Sequence, residues 1–249
     1  MNFESGEVVM PSRPSRPRTV VALPGTFCSP VIYERVRYLL DEHFEVDAPS
    51  WMTDAPDCTL DGVATWIADR LTATAHGPVL LIGHSTGGAI ALRLATTRPD
   101  IVGGLMLVNT GPHMRGHGDV AALIAGMERD GASGVIGPVL DRSFHTPPTP
   151  EDRRRLLDYA HRAPLRAALD ILRSQHTTDL SPDLPTLRMP VSVVHGRHDP
   201  VRTVDAAEAM AAAIPDARLH LLDAGHSPMY ETPAEVAAAI GELERRMAG

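Results

Sequence analysis

The run Pro78-Val79-Leu80-Leu81-Ile82-Gly83-His84-Ser85-Thr86-Gly87-Gly88 decides the reading of this chain. An apolar, strand-like segment over 78–82 breaks into Gly-x-Ser-x-Gly and resumes as a small-residue helix over 87–97, with Pro99 just beyond. A strand that turns sharply into a helix around a serine strains the backbone and leaves the hydroxyl exposed at the end of a sheet. The flanking glycines suit a turn in which neighbouring backbone passes too close for side chains. The helix points its positive N-terminal end at the serine, which favours a developing oxyanion. Ser85 is therefore the candidate nucleophile.

Two later loops supply partners. Pro190 starts an apolar strand over 191–195, and Gly196-Arg197-His198-Asp199-Pro200 follows at its C-terminal end. Catalytic groups of open α/β sheets gather at that end of the strands, so Asp199 emerges on the same edge as Ser85. A further strand over 218–222 leads into Asp223-Ala224-Gly225-His226-Ser227-Pro228-Met229-Tyr230-Glu231-Thr232-Pro233. Thr232 as N-cap, Pro233 at the first helical position and Glu235 three residues on form a capping box that opens the last helix and fixes the loop of His226. A serine hydroxyl is a poor nucleophile until a base takes its proton, and an acid must hold that base in the right tautomer. In the order Ser85, Asp199, His226 the chain carries all three. His84, His195 and His198 adjoin positions already assigned and are read as packing or loop residues. Asn109 ends the strand after the serine helix, and its amide is unable to stabilise an imidazolium. Asp223 is the next acid to test.

By these residues the chain resembles the α/β-hydrolase superfamily over nearly everything after residue 18. The elbow Gly-His-Ser-Thr-Gly-Gly, the acid loop His-Gly-Arg-His-Asp and the histidine loop Gly-His-Ser-Pro-Met-Tyr-Glu-Thr-Pro look like the family's patterns. Where many members carry His-Gly-x after the first strand, this chain has Leu23-Pro24-Gly25-Thr26-Phe27. The resemblance implies that the backbone N–H groups of Thr26 and Thr86 bind the oxyanion, the family's histidine at that loop not being catalytic.

Strands over 19–23, 44–48, 78–82, 104–108, 191–195 and 218–222 alternate with helices near 30–41, 60–75, 87–97, 203–213 and 233–247. The fold class is α/β: a mostly parallel sheet of six strands flanked by helices. Ser29-Pro30 starts the first helix as N-cap and N1. Residues 1–18 read as a flexible tail whose Pro11, Pro14 and Pro17 leave no room for the superfamily's N-terminal hairpin. The core is assigned to 19–112 and 191–249. The long intervening stretch, 113–190, takes helices near 119–129, 134–141, 150–161 and 164–177, and by position it resembles the family's lid. A lid there excludes water and shapes the pocket.

Composition sets bounds. At 249 residues with 43% apolar content the chain suits one compact domain. All 23 basic residues are arginine, which excludes a lysine Schiff base, pyridoxal phosphate and a Walker lysine, and no Gly-x-Gly-x-x-Gly follows a strand. No cofactor and no metal are expected. Cys28 and Cys58 are too few for a disulfide framework or a cysteine metal site. There is no apolar run long enough to span a membrane and no hydrophobic signal core, so a cytoplasmic protein is expected. The net charge of −8 argues against nucleic acid as partner. The 113–190 stretch is close to neutral while the rest carries the negative charge, so Arg153, Arg154 and Arg155 either steer an anionic substrate, such as a carrier-linked or coenzyme A thioester, or form a solvated helix face.

Three functions stay open to the sequence. The first is a serine hydrolase cleaving a small carboxylic ester, lactone or thioester through an acyl-enzyme. The second uses the same fold for non-hydrolytic chemistry, as a lyase, a cofactor-free oxygenase or a perhydrolase, since the elbow also resembles that of cofactor-free haloperoxidases. The third is a ligand receptor. Oligomeric state is not legible.

Overall fold

The computed structural model describes residues 18–248. The expected N-terminal tail lies outside the described residues except for Arg18, which already belongs to the first strand.

In chain order the elements are β1 (Arg18–Leu23), α1 (Glu34–Leu39), β2 (Phe44–Asp47), α2 (Trp51–Asp54), α3 (Leu60–Thr74), β3 (Val79–His84), α4 (Thr86–Thr97) and β4 (Val102–Val108). Four helices follow, α5 (Val120–Asp130), α6 (Ser133–Arg142), α7 (Pro150–Arg162) and α8 (Leu165–His176). The chain then returns to the sheet with β5 (Val191–Gly196), α9 (Val204–Ala213), β6 (Ala217–Leu222), α10 (Pro228–Glu231) and α11 (Pro233–Met247). Among the described residues all six strands form one sheet in the order β2-β1-β3-β4-β5-β6, with every pair parallel.

Parallel strands covered on both faces are apolar along their whole length. Every residue of β3 is buried, with Val79 and Leu81 in one core and Leu80 and Ile82 in the other. The same alternation sends Leu105 and Leu107 of β4 to the first core and Met106 and Val108 to the second. Helices α3 and α4 cover the first face; α1 and α11 cover the second.

Local chemistry sets the helix starts. Thr59 accepts from the Gly62 N–H at 3.1 Å, Thr149 from Asp152 at 3.1 Å and Thr203 from Ala206 at 3.2 Å, each side chain satisfying one of the unpaired N–H groups at a helix end. Three expectations change. The first helix begins as a 3₁₀ turn, Pro30–Tyr33, with Ser29 accepting from Val31 as its cap. A short helix at Trp51–Asp54 was not expected; the Trp51 indole donates to the Pro24 carbonyl at 2.8 Å, a contact 27 residues away in the chain. The capping box at Thr232 does not form. Thr232 instead closes the added turn Pro228–Glu231, its hydroxyl donating to the Pro228 carbonyl.

Close packing fixes where α4 sits. A Cβ on Gly87 would lie 2.1 Å from the Leu23 carbonyl oxygen, and one on Gly83 would lie 2.4 Å from the Gly87 carbonyl oxygen. Because both obstacles are backbone, Gly87→Ala is expected to destabilise the protein by about 3 kcal/mol or more, read as a lower urea midpoint at unchanged slope. A variant as stable as the parent would show that the elbow relaxes freely.

Candidate functional site

Ser85 stands between β3 and α4 with φ 52° and ψ −119°, a conformation that a non-glycine residue holds only under constraint. The constraint is visible on both sides of it. Its N–H donates to the Val108 carbonyl at 3.0 Å, and its carbonyl accepts from the Thr110 hydroxyl at 2.6 Å. The end of β4 thus holds the turn in place.

Asp199 follows β5, and His226 follows β6. His226 Nδ1 lies 2.9 Å from Asp199 Oδ2, with both side chains almost fully buried. Since the carboxylate only accepts, Nδ1 carries the proton and Nε2 is left as the basic nitrogen. Two more donors converge on the acid, Asn109 Nδ2 at 2.7 Å and the Val201 N–H at 2.7 Å. Burial pushes the Asp199 carboxyl up, but the hydrogen bonds and charge of His226, with the donors of Asn109 and Val201, outweigh it and hold the carboxyl at about 2.

The Gly25–Cys28 turn, closed by Cys28 N–H to the Gly25 carbonyl at 3.0 Å, faces the start of α4. Thr26 Oγ1 donates to Thr86 Oγ1 at 2.9 Å, tying the two segments together. Thr26, Ser85, Thr86 and His226 all line one cavity of about 360 Å³. Its other walls include Ile32 and Phe144, and Val120, Met127 and Leu156 from the helices between β4 and β5. Among the described residues no hydrogen bond joins His226 to Ser85; both open onto this cavity. Gathering of such groups commonly tightens only around a bound substrate.

The sequence matches the alpha/beta hydrolase family over residues 20–239. The chain belongs to that family, and it is a hydrolase. It is 29% identical over 201 residues to a pimeloyl-(acyl-carrier protein) methyl ester esterase of Aromatoleum aromaticum, covering 72% of this chain and 78% of the relative. It is 32% identical over 181 residues to the protein of the same name from Stenotrophomonas maltophilia, covering 68% and 70%. In structure it superposes on an enol-lactonase from Burkholderia xenovorans with a TM-score of 0.83 at 18% identity, over 94% of this chain and 93% of the other, a likeness of fold.

Some groups of this hydrolase were not legible as parts of the site. Asn109, read as a residue unable to replace the acid, donates to Asp199 and also accepts from the Gly196 N–H. Glu231 receives N–H groups from Gly225 at 2.9 Å, His145 at 2.9 Å and Thr146 at 2.8 Å, and Tyr230 donates to Asp152 at 2.7 Å. The histidine loop is thereby fastened to the segment before α7 and to α7 itself. The only sequence signal was the Tyr-Glu pair four residues after His226.

The remaining expected candidates separate. Asp223 is exposed and pairs with His198 at 2.7 Å, apart from His226. Arg153 binds Asp141, Arg154 binds Asp158 and Arg155 binds Glu34 and Asp152, and none of the three lines the cavity. They form an ion-paired outer face. Cys28 and Cys58 are free thiols, and burial pushes the Cys28 thiol up to about 12. Among the described residues no group of three or more His, Cys, Asp or Glu is placed to hold a metal ion, and no helix is long and apolar enough to cross a membrane.

His84 supports the loop of His226 from below. Its Nε2 donates to the His226 carbonyl at 2.8 Å, and its ring packs 4.9 Å from the His226 ring. Burial, reinforced by the charge of His226, holds His84 down at about 3. In the unfolded chain the same imidazole takes a proton below about 6.5. Unfolding therefore takes up a proton between those values, and stability falls as pH drops from 6.5 toward 3. The expected loss is on the order of 1.4 kcal/mol per pH unit. His84→Gln should flatten that part of the stability-versus-pH curve; an unchanged slope would assign the acid sensitivity to other groups.

Proposed function

We propose that this hydrolase is a serine esterase that cleaves a carboxylic ester through an acyl-enzyme. The observation that carries this reading is the buried His226–Asp199 pair opening onto the same cavity as the strained Ser85 turn. In this reading Ser85 Oγ attacks the substrate carbonyl while His226 Nε2 takes its proton. Asp199, oriented by Asn109, keeps the imidazole in the required tautomer and stabilises the imidazolium. The N–H groups of Thr26 and Thr86 bind the oxyanion, worth about 3 kcal/mol each in the transition state. His226 then returns the proton to the departing alcohol. Water activated by the same imidazole cleaves the acyl-enzyme to the carboxylic acid and free Ser85.

The names of the methyl ester esterases among the relatives support an ester as substrate, ahead of a lactone or thioester. Residues 113–190 are proposed as the lid. Their helices supply much of the apolar wall of the cavity, which suits a small acyl chain, and Tyr230 and Glu231 fasten them over the histidine loop.

Ser85→Ala is expected to lower kcat by roughly 10⁴–10⁶ and to abolish labelling by a fluorophosphonate probe. A mutant that keeps more than a tenth of parental turnover would sink the acyl-enzyme. Asp199→Asn should cost about 10²–10⁴ in kcat, since the amide favours the wrong imidazole tautomer. Asp223→Asn should stay within about twofold of the parent. The reverse ranking would move the acid to Asp223.

A further inference from the structure

The cavity does not share the charge of the chain. The sequence holds 31 acidic residues against 23 arginines. Yet among the described residues no aspartate or glutamate lines the cavity, whereas Arg142 and Arg202 do. Arg142 is an exposed residue at the end of α6. Arg202 is not at the surface; it is only 8% exposed, in the loop after Asp199.

A buried guanidinium normally comes with a carboxylate, because an isolated charge is costly to remove from water. Many surface arginines of this protein are matched that way, as Arg153, Arg155 and Arg246 are. Among the described residues Arg202 forms no ion pair. Its side chain makes one hydrogen bond, Nη2 to the His113 carbonyl at 3.0 Å. The fork is packed against Gly111, where a Cβ would meet Nη1 at 2.3 Å. Asp199 sends some negative potential toward it, but that carboxylate is already occupied by His226, Asn109 and Val201. Burial lowers Arg202 to about 10, which leaves it cationic at neutral pH.

Other residues of the cavity wall hold buried polar atoms with no hydrogen bond, Gln175 Oε1, Ser227 Oγ and His117 Nε2, and of these His117 is the one that lies in the field of Arg202. Burial first, then the charge of Arg202, lowers this imidazole to about 4, so it stands neutral and able to offer one N–H. A planar guanidinium fork with free donors and a neutral imidazole, in a cavity that no carboxylate lines among the described residues, together fit one carboxylate group better than any uncharged end.

We propose that Arg202 and His117 form an anion subsite in the substrate cavity, and that the ester this enzyme takes carries a carboxylate in addition to its ester group. The proposal rests on the esterase reading and adds the substrate class to it. The carboxylate belongs either to the acyl part or to the alcohol part, and paired substrates of equal length separate the two. Monomethyl glutarate against methyl valerate tests the acyl side; 4-acetoxybutyrate against butyl acetate tests the alcohol side.

In one of these pairs the parent enzyme is expected to favour the anionic ester in kcat/KM by roughly 10- to 100-fold, the value of a charge-assisted hydrogen bond. Arg202→Gln should collapse that ratio toward one, and Arg202→Lys should restore part of it. If Arg202 only braces the turn at 111–113, Arg202→Gln slows both members of a pair alike and the ratio stands, which overturns the proposal. A parental ratio at or below one in both pairs overturns it without any variant, so a failure of Arg202→Gln to fold leaves the test intact. Calorimetry of the same ester pairs binding to Ser85→Ala separates the two readings. Binding of an anionic ester that is stronger than that of its neutral partner and lost with Arg202→Gln, beside a parent protein that hydrolyses none of the esters, supports the subsite and sinks the esterase. Equal hydrolysis of both members by the parent, with no preference for the anionic ester in binding, sinks the subsite and keeps the esterase.

Discussion

The structure depends on one close approach, that of the Gly87 backbone to the carbonyl oxygen of Leu23. It brings the N-terminal end of α4 against the end of β1, so the turn between β3 and α4 has no room to relax. Ser85 is left at φ 52°, held by Val108 from one side and Thr110 from the other. The same approach brings Thr86 to Thr26, whose hydroxyls bond across the gap. The strain at the serine is thus sustained by sheet order: β1 and β4 flank β3, and each contributes one wall of the turn.

The acid and the histidine extend that logic by two strands. Asn109 at the end of β4 reaches Asp199 beyond β5, and Asp199 reaches His226 beyond β6. Each of these groups stands just past the C-terminal end of its strand, so parallel register alone carries the chain of hydrogen bonds across the sheet edge. His84, the last residue of β3, closes the arrangement from beneath by holding the carbonyl of His226.

What was legible in the sequence is what periodicity and short motifs encode. All six strands and most of the helices between them can be read from apolar runs, glycines and prolines, and the serine turn from its glycine spacing. The strand expected over 104–108 begins two residues earlier, at Val102, because Gly103 looks like a strand breaker; Met247, arriving from the far end of the chain, packs over it and Gly104. The helix at Trp51 is held by an indole bond to Pro24, and no local signal announces it. Thr232 carries every mark of an N-cap, yet the preceding Pro228 nucleates an earlier turn and takes its hydroxyl. The bond from Asn109 to Asp199 and the clamp of Glu231 escape for the same reason: their partners lie 90 and 86 positions away. The sequence left Arg153, Arg154 and Arg155 between steering an anionic substrate and forming a solvated face, and their ion pairs match the second; the buried Arg202 on the cavity wall, a single residue after an Asp-Pro turn, carries no local signal.

The fastening of the histidine loop to the inserted helices bears on how this fold exchanges parts. Glu231 accepts two N–H groups from the insert and one from its own loop, and Tyr230 meets Asp152 at the first turn of α7. A foreign insert grafted between β4 and β5 would have to present matching backbone donors at that seam, or leave a carboxylate facing the loop that holds His226 with two of its bonds unmade. Replacing the helices between β4 and β5 thus calls for keeping or rebuilding the contacts of the Tyr-Glu pair far downstream, so the segment and its anchor are discontinuous in the chain.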